Sequence, residues 1–154
     1  GTGRKRCVSN DILRLKAAYD KNKIPKKGRV LGLCSDHVND LLIEDKTFAV
    51  RYQNTTEGVI AEKYYGFKTY EIGYAPTFTA AGQKIAYGAA TVGYEASVSF
   101  YAPMVVKAPG TAERFAIDKT QNPTMRRHEI GFEMHWVCVA LKDEGLGAIR
   151  SVAV

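Results

Sequence analysis

Two short motifs carry residue types that bind transition metals, Cys34-x-x-His37 and His135-x-x-Cys138. Two thiolates and two imidazoles form a complete tetrahedral zinc set. The second motif, however, lies in a run of strict apolar/polar alternation. Residues three apart on a regular strand point to opposite faces of the sheet. His135 and Cys138 can therefore turn to one ion only across a bulge. The expectation is a strand thiol buried on one face and a surface histidine on the other.

Nucleophilic catalysis needs a Ser or Cys, a base and a group that orients the base. Cys34-Ser35-Asp36-His37 contains those types, but four consecutive residues cannot form a triad. Ser35 or Asp36 is better placed as the cap of a following helix. A Cys34–His128 dyad is the pairing left open. Gly28-x-x-x-Gly32 precedes a strand-to-helix turn, yet no second glycine cluster and no Gly-Lys-Ser/Thr follows it, as a phosphate loop requires. Glu129 and Glu133 share one face of a strand and read as a solvated face. The search assigns no catalytic, cofactor-binding or metal-ligating residue, and the chain is expected not to be an enzyme.

The elements that position these residues follow from periodicity. Ile12, Leu15, Lys16 and Tyr19 recur at helical spacing, widened by Leu13 and Ala17 and capped by Ser9 or Asn10. This helix should stop near Asn22, because Pro25 disfavours helical geometry in Ile24. Arg29 to Cys34 is an apolar run suited to a buried strand. It leads into a helix with Val38, Leu41, Leu42, Phe48, Ala49 and Tyr52 on one stripe and a break near Lys46. Val59-Ile60 and Tyr64 to Ile72 are strand-like, with Gly66 at a turn or bulge. Residues 73–94 read as a long surface loop. An apolar stretch from Ala96 to Lys107 follows, with Pro103 tolerated only near the first turn of a helix and Pro109-Gly110 as its stop. From Arg126 to Leu141, Ile130, Phe132, Met134, Trp136 and Cys138 alternate with more polar residues, which predicts a long strand with one apolar face. Lys142 to Gly145 turns the chain, and residues 146–154 are expected to return as its partner. Such a ribbon is marginal alone and needs a cover over its apolar face.

The bulk numbers fit one ordinary globular domain: 154 residues, 45% hydrophobic and 25% charged. No apolar run approaches the roughly 20 residues that cross a bilayer. Gly1-Thr-Gly-Arg-Lys-Arg6 is followed by no apolar segment, so a signal peptide is not expected. The chain starts at Gly1 and not at Met, which reads as a processed or cloned piece with Gly1 as a tag remnant. Cys7, Cys34 and Cys138 are widely spaced and odd in number, pointing to a reducing compartment. The net charge of +6 comes largely from three basic knots, Arg4-Lys5-Arg6, Lys23/Lys26/Lys27/Arg29 and Arg126-Arg127, read as solvated surface.

The order of segments then resembles a known family. A helix ending in Ile24-Pro25, the Gly28-Arg29 turn, an apolar strand and a helix with paired Leu41-Leu42 looks like the major capsid proteins of tailed bacteriophages. A glycine-aromatic strand, Tyr65-Gly66-Phe67-Lys-Thr-Tyr70-Glu-Ile-Gly73, a variable loop, the segment Ala96 to Ala108 and a closing strand pair at 126–154 keep the same order. The resemblance runs from about Ile12 to the C-terminus. It implies the capsid fold shared by tailed phages and herpesviruses: an α+β architecture with a mixed sheet flanked by helices (the axial domain) and a long C-terminal antiparallel strand pair.

On that basis residues 1–23 are a helix leading in, 24–110 an axial-domain-like core with a surface loop near 73–94, and 111–154 a peripheral-domain-like strand pair, together one compact unit. The resemblance implies a structural subunit of an icosahedral capsid, made in the bacterial cytoplasm and residing in the virion, here as a truncated fragment without the family's N-terminal arm, extended loop and spine helix. Its partners would be copies of itself in pentamers and hexamers, with weak electrostatic contact to packaged DNA, no membrane and no cofactor. Two alternatives from other classes are a basic nucleic-acid-binding module, motivated by the charge, and a small Cys34-dependent hydrolase.

Overall fold

The structure is a computed structural model that describes residues 3–53, 59–89, 93–117 and 128–151. Helix α1 (Ser9–Lys21) buries Ile12 and Tyr19, while Leu13 and Ala17 face solvent, so its stripe is narrower than the sequence suggests. Neither Ser9 nor Asn10 caps it. The cap position is Val8, whose N–H donates to the Asp11 carboxylate at 3.2 Å, the acidic half of a capping box. The helix ends in a Schellman turn. Lys23 sits at φ 56°, its N–H reaching the Asp20 carbonyl and that of Ile24 the Tyr19 carbonyl, both at 3.1 Å.

Strand β1 (Arg29–Cys34) runs directly into α2 (Ser35–Glu44), and α3 (Lys46–Gln53) follows after the break at Asp45. The expected cap at Ser35 or Asp36 does not form. Cys34 occupies the cap position, Asp36 pairs with Arg4 and Ser35 Oγ donates to Glu71. Strands β2 (Val59–Tyr64) and β3 (Phe67–Ile72) are joined by Tyr65-Gly66, with φ of 48° and 88°. Positive φ at both central residues is the two-residue hairpin turn whose twist matches its strands, which gives Gly66 its place.

The mixed sheet has the order β2-β3-β1-β5, with β4 (Thr77–Phe78) and β8 (Leu146–Arg150) both pairing with β5 (Tyr94–Tyr101). Only β1 and β3 are parallel, as a strand followed by a helical crossover allows. Alternation puts Leu31, Leu33, Phe67 and Thr69 on the face that buries against α1 and α2. Each large apolar side chain so buried contributes about 1.5–3 kcal/mol. Val30, Lys68, Val98 and Phe100 alternate with them and stay half-buried. Within 73–94, expected to be loop throughout, β4 forms and Ile85 is buried. Tyr74 and Tyr87 are exposed.

Strands β6 (Val105–Ile117) and β7 (Glu129–Ala140) form a separate antiparallel sheet of two strands. This corrects the expected pairing. The partner of the alternating strand precedes it in the chain, while Leu146–Arg150 pairs with β5. Pro109-Gly110 does not stop the apolar stretch either. The register shifts between Pro109 and Ala112, and the bulge brings the Gly110 Cα so near the His135 carbonyl that an added Cβ would lie 3.0 Å from its oxygen. Pro103 instead sits in a single 3-10 turn, Ala102–Met104.

The chain divides into two compact units, Gly1–Met104 with Lys142–Val154, and Val105–Leu141. The boundary falls at 104/105 and not after 110, and the C-terminal segment returns to the first unit, where one compact unit was expected. The pairing of β8 with β5 is the physical reason: five consecutive register partners tie the C-terminal strand to the mixed sheet.

Candidate functional site

The ribbon carries the most unusual surface. On β7, Ile130, Phe132, Met134 and Trp136 occupy alternate positions and share a face with Ala116, Arg114, Ala112 and Pro109 of β6, their register partners. Phe132 is 80% exposed and Trp136 62% exposed. Among the described residues, only Lys107 Nζ, 5.1 Å from the Trp136 ring centroid, lies over an aromatic of this row. Ile130 to Trp136 extends over about 20 Å of β7, so the row forms a continuous strip and not an isolated residue. The other face holds Glu133, opposite Glu113, and His135, whose Nε2 lies 2.8 Å from Glu133 Oε1. The expectation of a buried Cys138 is corrected. The thiol is exposed, because the face it shares has no cover among the described residues.

The two metal-type motifs fall in different units, Cys34 and His37 in the first, His135 and Cys138 in the second. Among the described residues no cluster of three or more His, Cys, Asp or Glu is placed to hold a metal ion. The Cys34–His128 pair is likewise split between the units.

Cys34 and His37 belong to a buried hydrogen-bonded chain instead. His37 Nδ1 lies 2.7 Å from Ser97 Oγ and Nε2 lies 2.8 Å from Ser151 Oγ. Ser97 Oγ donates to Cys34 Sγ at 3.7 Å and accepts the Cys34 N–H at 3.1 Å. With the Ser97 hydroxyl directed at the Cys34 sulfur, His37 donates through Nδ1 and accepts from Ser151 through Nε2. The chain holds together β1, α2, β5 and the residue after β8. His37 is 0% exposed. Burial and the Arg4 guanidinium push its imidazole below its ordinary value, against Asp40, Asp36 and Asp11. Burial raises the Cys34 thiol, outweighing the His37 amide and the Ser97 hydroxyl. A protonated thiol without solvent contact is a poor nucleophile. Ser97 and Ser151, absent from the sequence reading, complete this cluster. The one legible signal was Ser97 and Ser99 at alternate positions of an apolar strand; Tyr19 Oη meets Ser99 Oγ at 2.9 Å.

The basic knots are less solvated than expected. Arg4 is bound by Asp40 at 2.6 Å and Asp36 at 3.3 Å. Burial raises the Asp40 carboxyl, but the Arg4 hydrogen bond and the Cys7 amide leave it below its usual range. Arg29 is 2% exposed, its guanidinium held by Asp20, the Pro25 and Ile24 carbonyls and the Tyr19 and Phe67 rings. That hydrogen bond lowers the Asp20 carboxyl. Both arginines are corrections to a solvated reading, and paired geometry explains them. Arg126-Arg127 lies outside the described residues. No family model matches this sequence, and no curated protein matches it.

Proposed function

We propose that this chain is a structural, shell-building protein that acts by packing against copies of itself, as a subunit of a bacteriophage icosahedral capsid. The observation that carries the reading is the exposed apolar row Ile130, Phe132, Met134 and Trp136 on a two-stranded ribbon. A two-stranded sheet is marginal in water, and an apolar strip of this length on a surface marks an interaction site. The exposed Tyr74 and Tyr87 in the 73–94 segment offer a second set of aromatic contacts.

The segment order that resembles tailed-phage capsid proteins supplies the kind of assembly. In such a shell, heterologous contacts repeat around an axis and close into pentamers and hexamers, and closure multiplies modest contacts. The subunit would be made in the bacterial cytoplasm and reside in the virion. Sedimentation velocity across a wide concentration range, with negative-stain microscopy of the associated fraction, tests this. The expected result is weak, reversible association with ring-shaped species at high concentration. A monomer at every concentration would remove the reading.

A further inference from the structure

Four lysines from three separate segments converge where β1 begins. Lys26 and Lys27 come from the turn after α1, Lys63 from β2 and Lys68 from β3, and they line a groove of about 880 Å³. Gly28 and Gly66, at φ of 93° and 88°, line it as well. No carboxylate lines it among the described residues. Arg29 also borders it, but Asp20 and two carbonyls hold its guanidinium, and Lys68 Nζ lies 5.4 Å from the Tyr70 ring centroid, so Lys26, Lys27 and Lys63 carry the groove's charge.

We propose that this lysine groove, between the Gly28 and Gly66 turns, binds the phosphodiester backbone of a nucleic acid without reading its sequence. The lining favours that occupant over an acidic polypeptide. Among the described residues, the only apolar side chain besides the lysine and arginine stems is Val30, so a peptide finds no anchor pocket. Among the described residues no aromatic lines the groove to stack on bases, which leaves phosphate contact as its chemistry. Lysine ammonium groups are point charges suited to that role. The inference does not rest on the shell reading, whose surface is the ribbon.

The test is fluorescence anisotropy of the full chain with a short labelled duplex of mixed sequence, across a salt series. Three lysine–phosphate contacts, from Lys26, Lys27 and Lys63, give a log–log salt slope of about −2.7, or about 40-fold weaker binding from 50 to 200 mM salt. Lys27→Gln/Lys63→Gln, both exposed in the native chain, should make the slope shallower by about 1.8. Lys27→Arg/Lys63→Arg should keep it, and the distant pair Lys46→Gln/Lys142→Gln should leave it unchanged. An unchanged slope in the groove pair, or an equal loss in the distant pair, overturns the assignment. So does a glutamate-rich peptide that displaces the duplex as well as unlabelled duplex does. Sedimentation of the same variants separates this result from the association of the ribbon.

Discussion

Phe132→Ser isolates the ribbon's contribution to association. Phe132 is 80% exposed, and an aromatic side chain can bury about 150–250 Å². Roughly 120–200 Å² therefore remains for a partner, about 3–5 kcal/mol at 25 cal/mol per Å². Ordering and desolvation at an interface reduce that figure. A loss of about 2 kcal/mol, the threshold of an interface hot spot, weakens one contact roughly 30-fold. In a ring the loss repeats at every contact, so closed species should vanish before pairwise ones. Because the residue is exposed in the single chain, its replacement should change folding stability by no more than about 0.5 kcal/mol. Sedimentation velocity and thermal melting of the same samples separate the two quantities. Unaltered association, or a serine variant that unfolds, would refute the reasoning. The first shows that the row is not the contact, and the second that the chain itself needs the ring.

Other consequences can be checked on the single chain. His37 is pushed below its unfolded value, so the native state favours the neutral ring. Its contribution is complete above the unfolded pKa of about 6.5 and is lost as pH falls below it. The melting temperature should drop from pH 7.5 to 5, and His37→Gln should flatten that slope, with Arg4, Asp40, Asp36 and Asp11 left in place. Native alkylation followed by mass mapping should modify the exposed Cys138 and spare Cys34 and Cys7, the latter pushed up to about 12 by burial. Rapid labelling of Cys34 would revive the hydrolase reading. Arg29→Ala should cost about 2–4 kcal/mol in urea unfolding, since it empties the space beside the Tyr19 and Phe67 rings and frees two carbonyls. Lys27→Ala, from the same knot, should cost no more than about 0.5 kcal/mol. Gly147→Ala should destabilise too, because its Cβ would meet Ser99 Oγ at 2.7 Å and Leu15 Cδ1 at 2.8 Å.

The α+β class and the positions of most elements were legible, because burial imposes a period on each. The stripe through Ile12 and Tyr19, the break near Lys46 and the turn at Gly66 all follow from neighbours in sequence. Partner choice does not. Alternation in Glu129–Ala140 specifies a strand with two unlike faces, yet nothing local says whether Val105–Ile117 or Leu146–Arg150 lies beside it. Pro109-Gly110 disguised β6 as a stop, although a bulge accommodates both residues. Arg4 and Arg29 were misread for a related reason. A basic knot looks solvated until the carboxylates that fold toward it, 36 and 9 residues away in sequence, are known.

The polar cluster around His37 bears on how the two units differ. In the first unit, most polar groups turned inward find partners: Ser99 meets Tyr19, Ser97 and Ser151 meet His37, and Asp40 pairs with Arg4, while Thr69 Oγ1 has no hydrogen-bond partner among the described residues. Unmatched, each would cost about 1–3 kcal/mol, so the set holds the mixed sheet to one arrangement of strands and helices. Among its described residues the ribbon shows no comparable buried polar set. Its two strands are held to each other by their ladder, while Phe132 and Trp136 remain in water. Apolar surface of that kind is stabilised by whatever removes it from solvent, and its strength is measured by association before it is measured by unfolding. That ordering is what the Phe132→Ser experiment reads.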